Sequence, residues 1–268
     1  MPDSVLADQQ KQFSLNRPIG EVIAQLVPLA RADEAGDKVR SKLGCWAAAC
    51  FFFAVVSFIL SAAVSPYFLA LAVAMIVLGI VNLTKYNRKK KEDLSDNLRL
   101  CAIPLLAALR DDFGSEPVEI TLDLRPPLSN EKKTNEVKNG SGMRKETVTT
   151  YVDPWLSLDG ILADGSRLQC SVVETITQRA RWKRSASGKY KQKTKRKKKV
   201  DVEVSLTLKA KRFDVGGITN AEVKHGENKS TVSVSQKIAR ADDTPIPPAE
   251  VLNVIAGVYR QLRPARSS

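Results

Sequence analysis

The sequence predicts an α+β protein: a two-helix transmembrane hairpin anchoring a cytoplasmic antiparallel β-sheet domain with flanking helices and a long basic β-hairpin. Three observations predict it. Residues 43–84 carry no charge. From residue 118 the apolar period changes from helical to 2. A lysine run near residue 190 keeps the odd parity of the polar positions in the valine strand that follows it.

The uncharged run of 42 residues would make a helix of roughly 63 Å, about twice the ~30 Å hydrocarbon thickness. Two spans fit, broken at Ser65 and Pro66, near residues 43–63 and 66–84. Proline removes a backbone donor and pushes its predecessor out of helical geometry. A cleaved signal peptide is not expected, because the run starts late and is long. Lys38, Arg40 and Lys42 precede it, and Lys85, Arg88, Lys89, Lys90 and Lys91 follow it, whereas the connecting turn is uncharged. By the positive-inside rule both termini are expected to be cytoplasmic, in an integral protein of the plasma membrane or of a bacterial inner membrane. Ala47, Ala48 and Ala49 in one span and Ala70, Ala72 and Ala74 in the other would let the backbones approach closely. With no Asp, Glu, Lys, Arg or His in either span, the pair reads as an anchor or an oligomerisation element and not as a conduction path.

Residues 1–42 are expected to form a cytoplasmic helical segment, one or two short helices interrupted by Pro18, Gly20 and Pro28. Residues 85–116 follow as a juxtamembrane helix with Leu98, Leu100, Ile103, Leu105, Leu106 and Leu109 on one face and Pro104 as a kink or a second start. This helix either lies along the membrane or packs on the sheet.

Residues 117–268 form the β-rich domain. Val118, Ile120, Leu122 and Leu124 alternate with polar residues, as a half-buried strand requires. The polar stretch 127–146 has little to bury and reads as a long loop or disordered insert. Strands at TVTTYV, LSLDGIL and SRLQCSVVETITQR form a meander, and STVSVSQKI adds another. Pro247 and Pro248 introduce a final helix at about 248–262, with Val251, Leu252, Ile255, Val258, Tyr259 and Leu262 on its apolar side.

The formal net charge is +13, and eleven bases lie between Arg181 and Lys199 with no acid among them; the remaining 31 bases and 29 acids leave +2 for everything else. One local patch therefore carries the basicity, which points to a polyanion. Val200, Val202, Val204, Leu206 and Leu208 are even; Lys189, Lys191, Lys193, Lys195, Lys197 and Lys199 are odd. In the arm before, Leu168, Cys170, Val172 and Ile176 are even, whereas Arg179, Arg181 and Lys183 are odd. Both apolar sets share a face only if paired numbers sum to an even value. A three-residue loop, Ala186, Ser187 and a left-handed Gly188, achieves this. It pairs Val172 with Val202 and sets Arg179 opposite Lys195, Arg181 opposite Lys193 and Lys183 opposite Lys191. Trp182 and Tyr190 become diagonal neighbours on the other face. Directly opposed like charges cost up to ~1 kcal/mol per pair, so the tip should fray alone and order when neutralised.

The nine odd cations are the candidate anion-binding residues, and Trp182 and Tyr190 the candidate aromatic contacts. Anionic membrane lipid or an acidic protein surface is the first expected partner. Nucleic acid comes second, and a homo-oligomer or other oligomeric membrane assembly is the alternative. The hairpin spans about residues 167–210.

No enzyme is expected. Asp123, Asp153, Asp159 and Asp164 are the candidate acids, but Asp-Gly at 159 and 164 and Asp-Pro at 153 read as turns. No phosphate-loop, nucleophile-elbow or zinc-protease motif occurs. One histidine, His225, and four cysteines without a C-x-x-C pair predict neither a metal nor a cofactor. The expected function is a non-enzymatic, membrane-anchored binding or scaffold protein.

Overall fold

The computed structural model describes residues 11–140, 146–184, 188, 190–209, 213–214, 221–226, 228–240 and 244–264. It divides into two compact units, Pro28–Leu94 and the remainder.

The Pro28–Leu94 unit is a helix pair. Helix α1 runs Ile19–Ala63 and α2 runs Tyr67–Glu92, both long and apolar enough to cross a membrane. The turn falls at Ser65 and Pro66, as the sequence requires. Small residues make the contact: Ala47, Ala54 and Ala72 are buried, and an added Cβ on Gly79 would meet the Phe51 ring at 3.0 Å. Outside the contact, Trp46, Phe52, Phe58, Ile59, Val73 and Val77 are exposed. Polar clamps sit at the charged end, where Arg40 pairs with Asp93, and Asp33 Oδ1 accepts the Leu94 N–H at 3.0 Å.

The short interrupted helices expected before the membrane are replaced by strand β1, Gln12–Pro18, and the continuous α1, with Pro28 inside it. Pro18 closes the strand instead of interrupting a helix. Proline at position 28 removes one helical hydrogen bond out of a 45-residue ladder, a loss a long helix can absorb. Likewise the lysines 85 and 89–91 continue α2, and the juxtamembrane helix begins later. It comprises a π-helical turn, Leu98–Ala102, and α3, Ile103–Phe113, with Pro104 in its first turn.

The other unit is an antiparallel sheet covered by helices on one face. Its strands are β1, β2 (Pro117–Asp123), β3 (Lys133–Asn139), β4 (Glu146–Ile161), β5 (Arg167–Arg184), β6 (Tyr190–Lys209), β8 (Glu222–His225) and β9 (Lys229–Arg240). The order is β1-β2-β4-β5-β6-β9-β8, with β3 on the distal half of β4. A two-residue strand β7, Phe213–Asp214, pairs with β10, Arg263–Pro264. Helix α3 and the last helix α4, Pro248–Gln261, cover the face bearing Ile120, Val172, Val202 and Val204. Leu105, Leu106, Leu109 and Phe113 are buried there, so α3 packs on the sheet; Leu100 points outward at 48 % exposure. The opposite face is a polar lattice, including Ser233–Ser205 at 3.1 Å and Arg167–Asp159 at 2.7 Å.

Two further expectations are corrected. Residues 127–146 are not a structureless insert: a 3-10 turn, Asn130–Lys132, leads into β3, which is held by backbone pairing to β4. Only residues 141–145 of it lie outside the described residues. Asp153-Pro154 and Asp159-Gly160 are not turns; both lie within β4. A bulge between Pro154 and Leu156 inserts Trp155, which is fully buried beside Leu156, the usual effect of placing two residues opposite one. Gly160 is required because a Cβ there would lie 2.7 Å from the Phe113 ring. Asp164-Gly165 is the real turn, with Gly165 at φ +80°.

Candidate anion-binding site

The β5–β6 register decides where the cations stand. Val172 faces Val202, Cys170 faces Val204 and Leu168 faces Leu206, while Arg179 faces Lys195, Arg181 faces Lys193 and Lys183 faces Lys191. These are the pairs that parity demands. Gly188 has φ +78°, the left-handed conformation expected of it. Ala186, Ser187 and Lys189 lie outside the described residues, as does the side chain of Lys183.

Arg179, Arg181, Lys191, Lys193, Lys195, Lys197 and Lys199 share the sheet face away from α3 and α4. Trp182 and Tyr190 lie on the other face, 47 % and 46 % exposed. Beyond the apolar core the arms do not stand alone. β4 pairs with β5 out to Glu146 opposite Arg181, and β3 pairs with β4 over the same length. The hairpin is therefore the edge of a blade β3-β4-β5-β6. Past Lys198, which pairs with Arg240, β6 has no strand partner on its outer side among the described residues.

Not every base in the run belongs to this set. Lys198 is even and turns inward, 4 % exposed, to pair with Glu174 at 2.9 Å; its ammonium also donates to the Thr244 carbonyl at 3.0 Å, and Asn97 donates to Glu174 at 3.3 Å. Arg196, also even, donates to Gln178. On the same inner face Lys132 pairs with Asp153 at 2.7 Å and with Asp123 at 3.4 Å, and Arg125 forks onto Asp123 at 2.6 and 2.9 Å. The Lys132–Asp153 contact is an ion pair without a well-directed hydrogen bond. Three acids, Asp123, Asp153 and Glu174, thus meet three bases, Arg125, Lys132 and Lys198. This belt closes the distal end of the core and neutralises itself.

Its carboxyls respond to place. Burial pushes Asp153 up to about 6, against the opposing pull of Lys132. Burial also raises Asp123, but the Arg125 hydrogen bonds and the Lys132 charge more than offset it and hold Asp123 at about 2. Burial pushes the Cys101 and Cys170 thiols up to about 12, which makes both unsuited to act as thiolate nucleophiles.

The outer cations differ in kind. Among the described residues no ion pair engages Arg179, Arg181, Lys191, Lys193, Lys195 or Lys197. Four of these surround a shallow cavity of about 210 Å³: Arg179, Arg181, Lys195 and Lys197, joined by Glu146 and Thr177. No family model, curated protein or solved structure matches this chain.

Sequence reasoning missed the inner belt and the contributions of Glu146 and Thr177. The parity of Lys198 marks it as inward-facing once the register is known. Glu146 enters only through the β4–β5 pairing, which no local pattern reveals.

Proposed function

We propose that this chain is a non-enzymatic, membrane-anchored binding protein whose sheet domain offers the outer face of the basic blade to an anionic lipid surface. One observation carries the reading: every inward-turned base of the belt has an internal acid, whereas among the described residues the outward cations Arg179, Arg181, Lys191, Lys193, Lys195 and Lys197 are in no ion pair. A fold that supplies counterions where it needs them leaves these for something outside.

Lipid is favoured over other polyanions by the anchor. The exposed aromatic and aliphatic side chains of α1 and α2 suit hydrocarbon, and the basic flanks favour a cytoplasmic sheet domain by the positive-inside rule, facing an anionic leaflet. Tethering also raises the local concentration of the basic face at the membrane. A cavity of about 490 Å³ between α3, α4 and the β4–β5 turn is lined by leucines, Ile255, Asp111, Asp112, Asp164 and Tyr259, without a thiol, aliphatic hydroxyl or imidazole group.

Lysine acylation read by mass spectrometry tests it. The full chain is placed in nanodiscs of phosphatidylcholine, with and without phosphatidylserine. Lys191, Lys193, Lys195 and Lys197 are expected to be protected only in the anionic discs, and to lose protection as salt rises past ~0.15 M, where the Debye length is ~8 Å. Equal labelling in the two membranes would overturn the reading.

A further inference from the structure

We infer that the cavity among Arg179, Arg181, Lys195 and Lys197 is a binding site for a phosphomonoester or diphosphate group, a deepening of the proposed function that rests on the basic face being the anion-receiving surface. The lining comes from three adjacent strands. Thr177 pairs with Lys197 and Arg179 with Lys195 across β5–β6, while Glu146 pairs with Arg181 across β4–β5.

Three features select the ligand. The first is charge: four cations and one carboxylate sum to a formal +3, which a singly charged carboxylate or phosphodiester neutralises poorly and a multiply charged phosphate neutralises well. The second is shape. Two arginines two residues apart on one strand present planar forks, which match the oxygens of a phosphate and hold it in two directions. Thr177 adds a hydroxyl that can donate to a third oxygen. The third is size, since 210 Å³ holds roughly seven waters at ~30 Å³ each. That is room for one or two phosphate groups and falls below the ~300 Å³ at which drug-sized ligand pockets begin.

The register adds a reason for binding. Arg179 and Lys195 are directly opposed like charges, and a bound phosphate converts that repulsion into two attractions. Lys191 and Lys193 lie on the same face but outside the cavity. They provide a charge-matched comparison.

Pyrophosphate is titrated calorimetrically against the full chain in phosphatidylcholine nanodiscs, using the unaltered protein, R179Q/K195Q and K191Q/K193Q. Both double variants remove two positive charges from exposed strand positions, and thermal unfolding confirms that each is folded. R179Q/K195Q is expected to weaken binding at least tenfold, and K191Q/K193Q no more than about threefold, since it removes charge beside the cavity but none of the groups that line it. Discs containing phosphatidylinositol bisphosphate identify the source: competition with pyrophosphate assigns the site to a lipid headgroup, and its absence to a soluble phosphate. Equal losses in the two variants, or no pyrophosphate binding by the unaltered chain, would overturn the inference. Lysine protection by phosphatidylserine in parallel discs separates the two readings. Protection without a pyrophosphate site removes this inference alone, whereas a pyrophosphate site without protection removes the lipid surface and leaves the site.

Discussion

Removing Glu174 should destabilise the distal core, because Lys198 would remain buried with no acid. The carboxylate is 1 % exposed and the ammonium 4 %, at 2.9 Å. After Glu174→Leu, the remaining partner of the ammonium among the described residues is the Thr244 carbonyl. Breaking a buried pair costs about 3–5 kcal/mol, whereas replacing both partners by apolar groups is often neutral. Lys198→Met should cost a similar amount, leaving Glu174 with Asn97 alone. The double variant E174L/K198M should recover most of the loss, giving a coupling of several kcal/mol instead of additivity. At about 2–4 °C per kcal/mol for a unit of this size, each single substitution lowers the melting temperature by about 6–20 °C. The assay is urea unfolding of the full chain in mild detergent, followed by tryptophan fluorescence. Trp155 is fully buried near the belt, whereas Trp46 and Trp182 are already exposed, so the signal reports the sheet core. Single substitutions costing under ~1 kcal/mol, or a double variant equal to their sum, would refute a structural role for the pair.

Asp153 and Asp123 should give stability a maximum near pH 4. The folded pKa of Asp153, about 6, lies above its unfolded value. The folded protein therefore holds the extra proton between ~4 and ~6, and stability falls with rising pH there by at most about 1.4 kcal/mol per unit. Asp123, at about 2, contributes stability that is present above ~4 and is lost as pH falls through 2. Asp153→Asn should flatten the arm between pH 4 and 6 in a denaturant series, and an unchanged slope would count against the assignment. Gly160→Ala, whose Cβ would lie 2.7 Å from the Phe113 ring, should cost about 1–3 kcal/mol in the same assay. No loss would mean that α3 does not press on β4 there.

Much of this fold is written in periodicity. The alternation of Leu168, Cys170 and Val172 against Val202, Val204 and Leu206 specifies the β5–β6 register to the residue, because any odd slip exposes the whole set. The cationic face follows from the same parity. What is not legible depends on partners distant in the chain. β3 has almost no apolar signal, since its stability comes from the backbone ladder to β4. Asp153 and Asp159 carry turn propensity that the sheet overrides: Asp153 is drawn inward by Lys132 and Asp159 is bound by Arg167. β1 is short and ends in proline, so its pairing with β2 leaves no local mark. Lys198 hides among lysines of the opposite role, separable only by counting positions.

The alternation that sorts Lys197 outward and Lys198 inward also limits how the blade can vary in length. A single residue gained or lost in one arm between the belt and the tip would rotate the distal cations of that arm onto the inner face and bring its aromatic, Trp182 or Tyr190, onto the outer one. Two residues per arm would leave both faces intact and only lengthen the reach. Descendants of this chain can therefore change the span of the blade by whole steps of four residues, or by any number within the tip loop. Increments of one must be absorbed where β4 already absorbs one, at a bulge like that of Trp155.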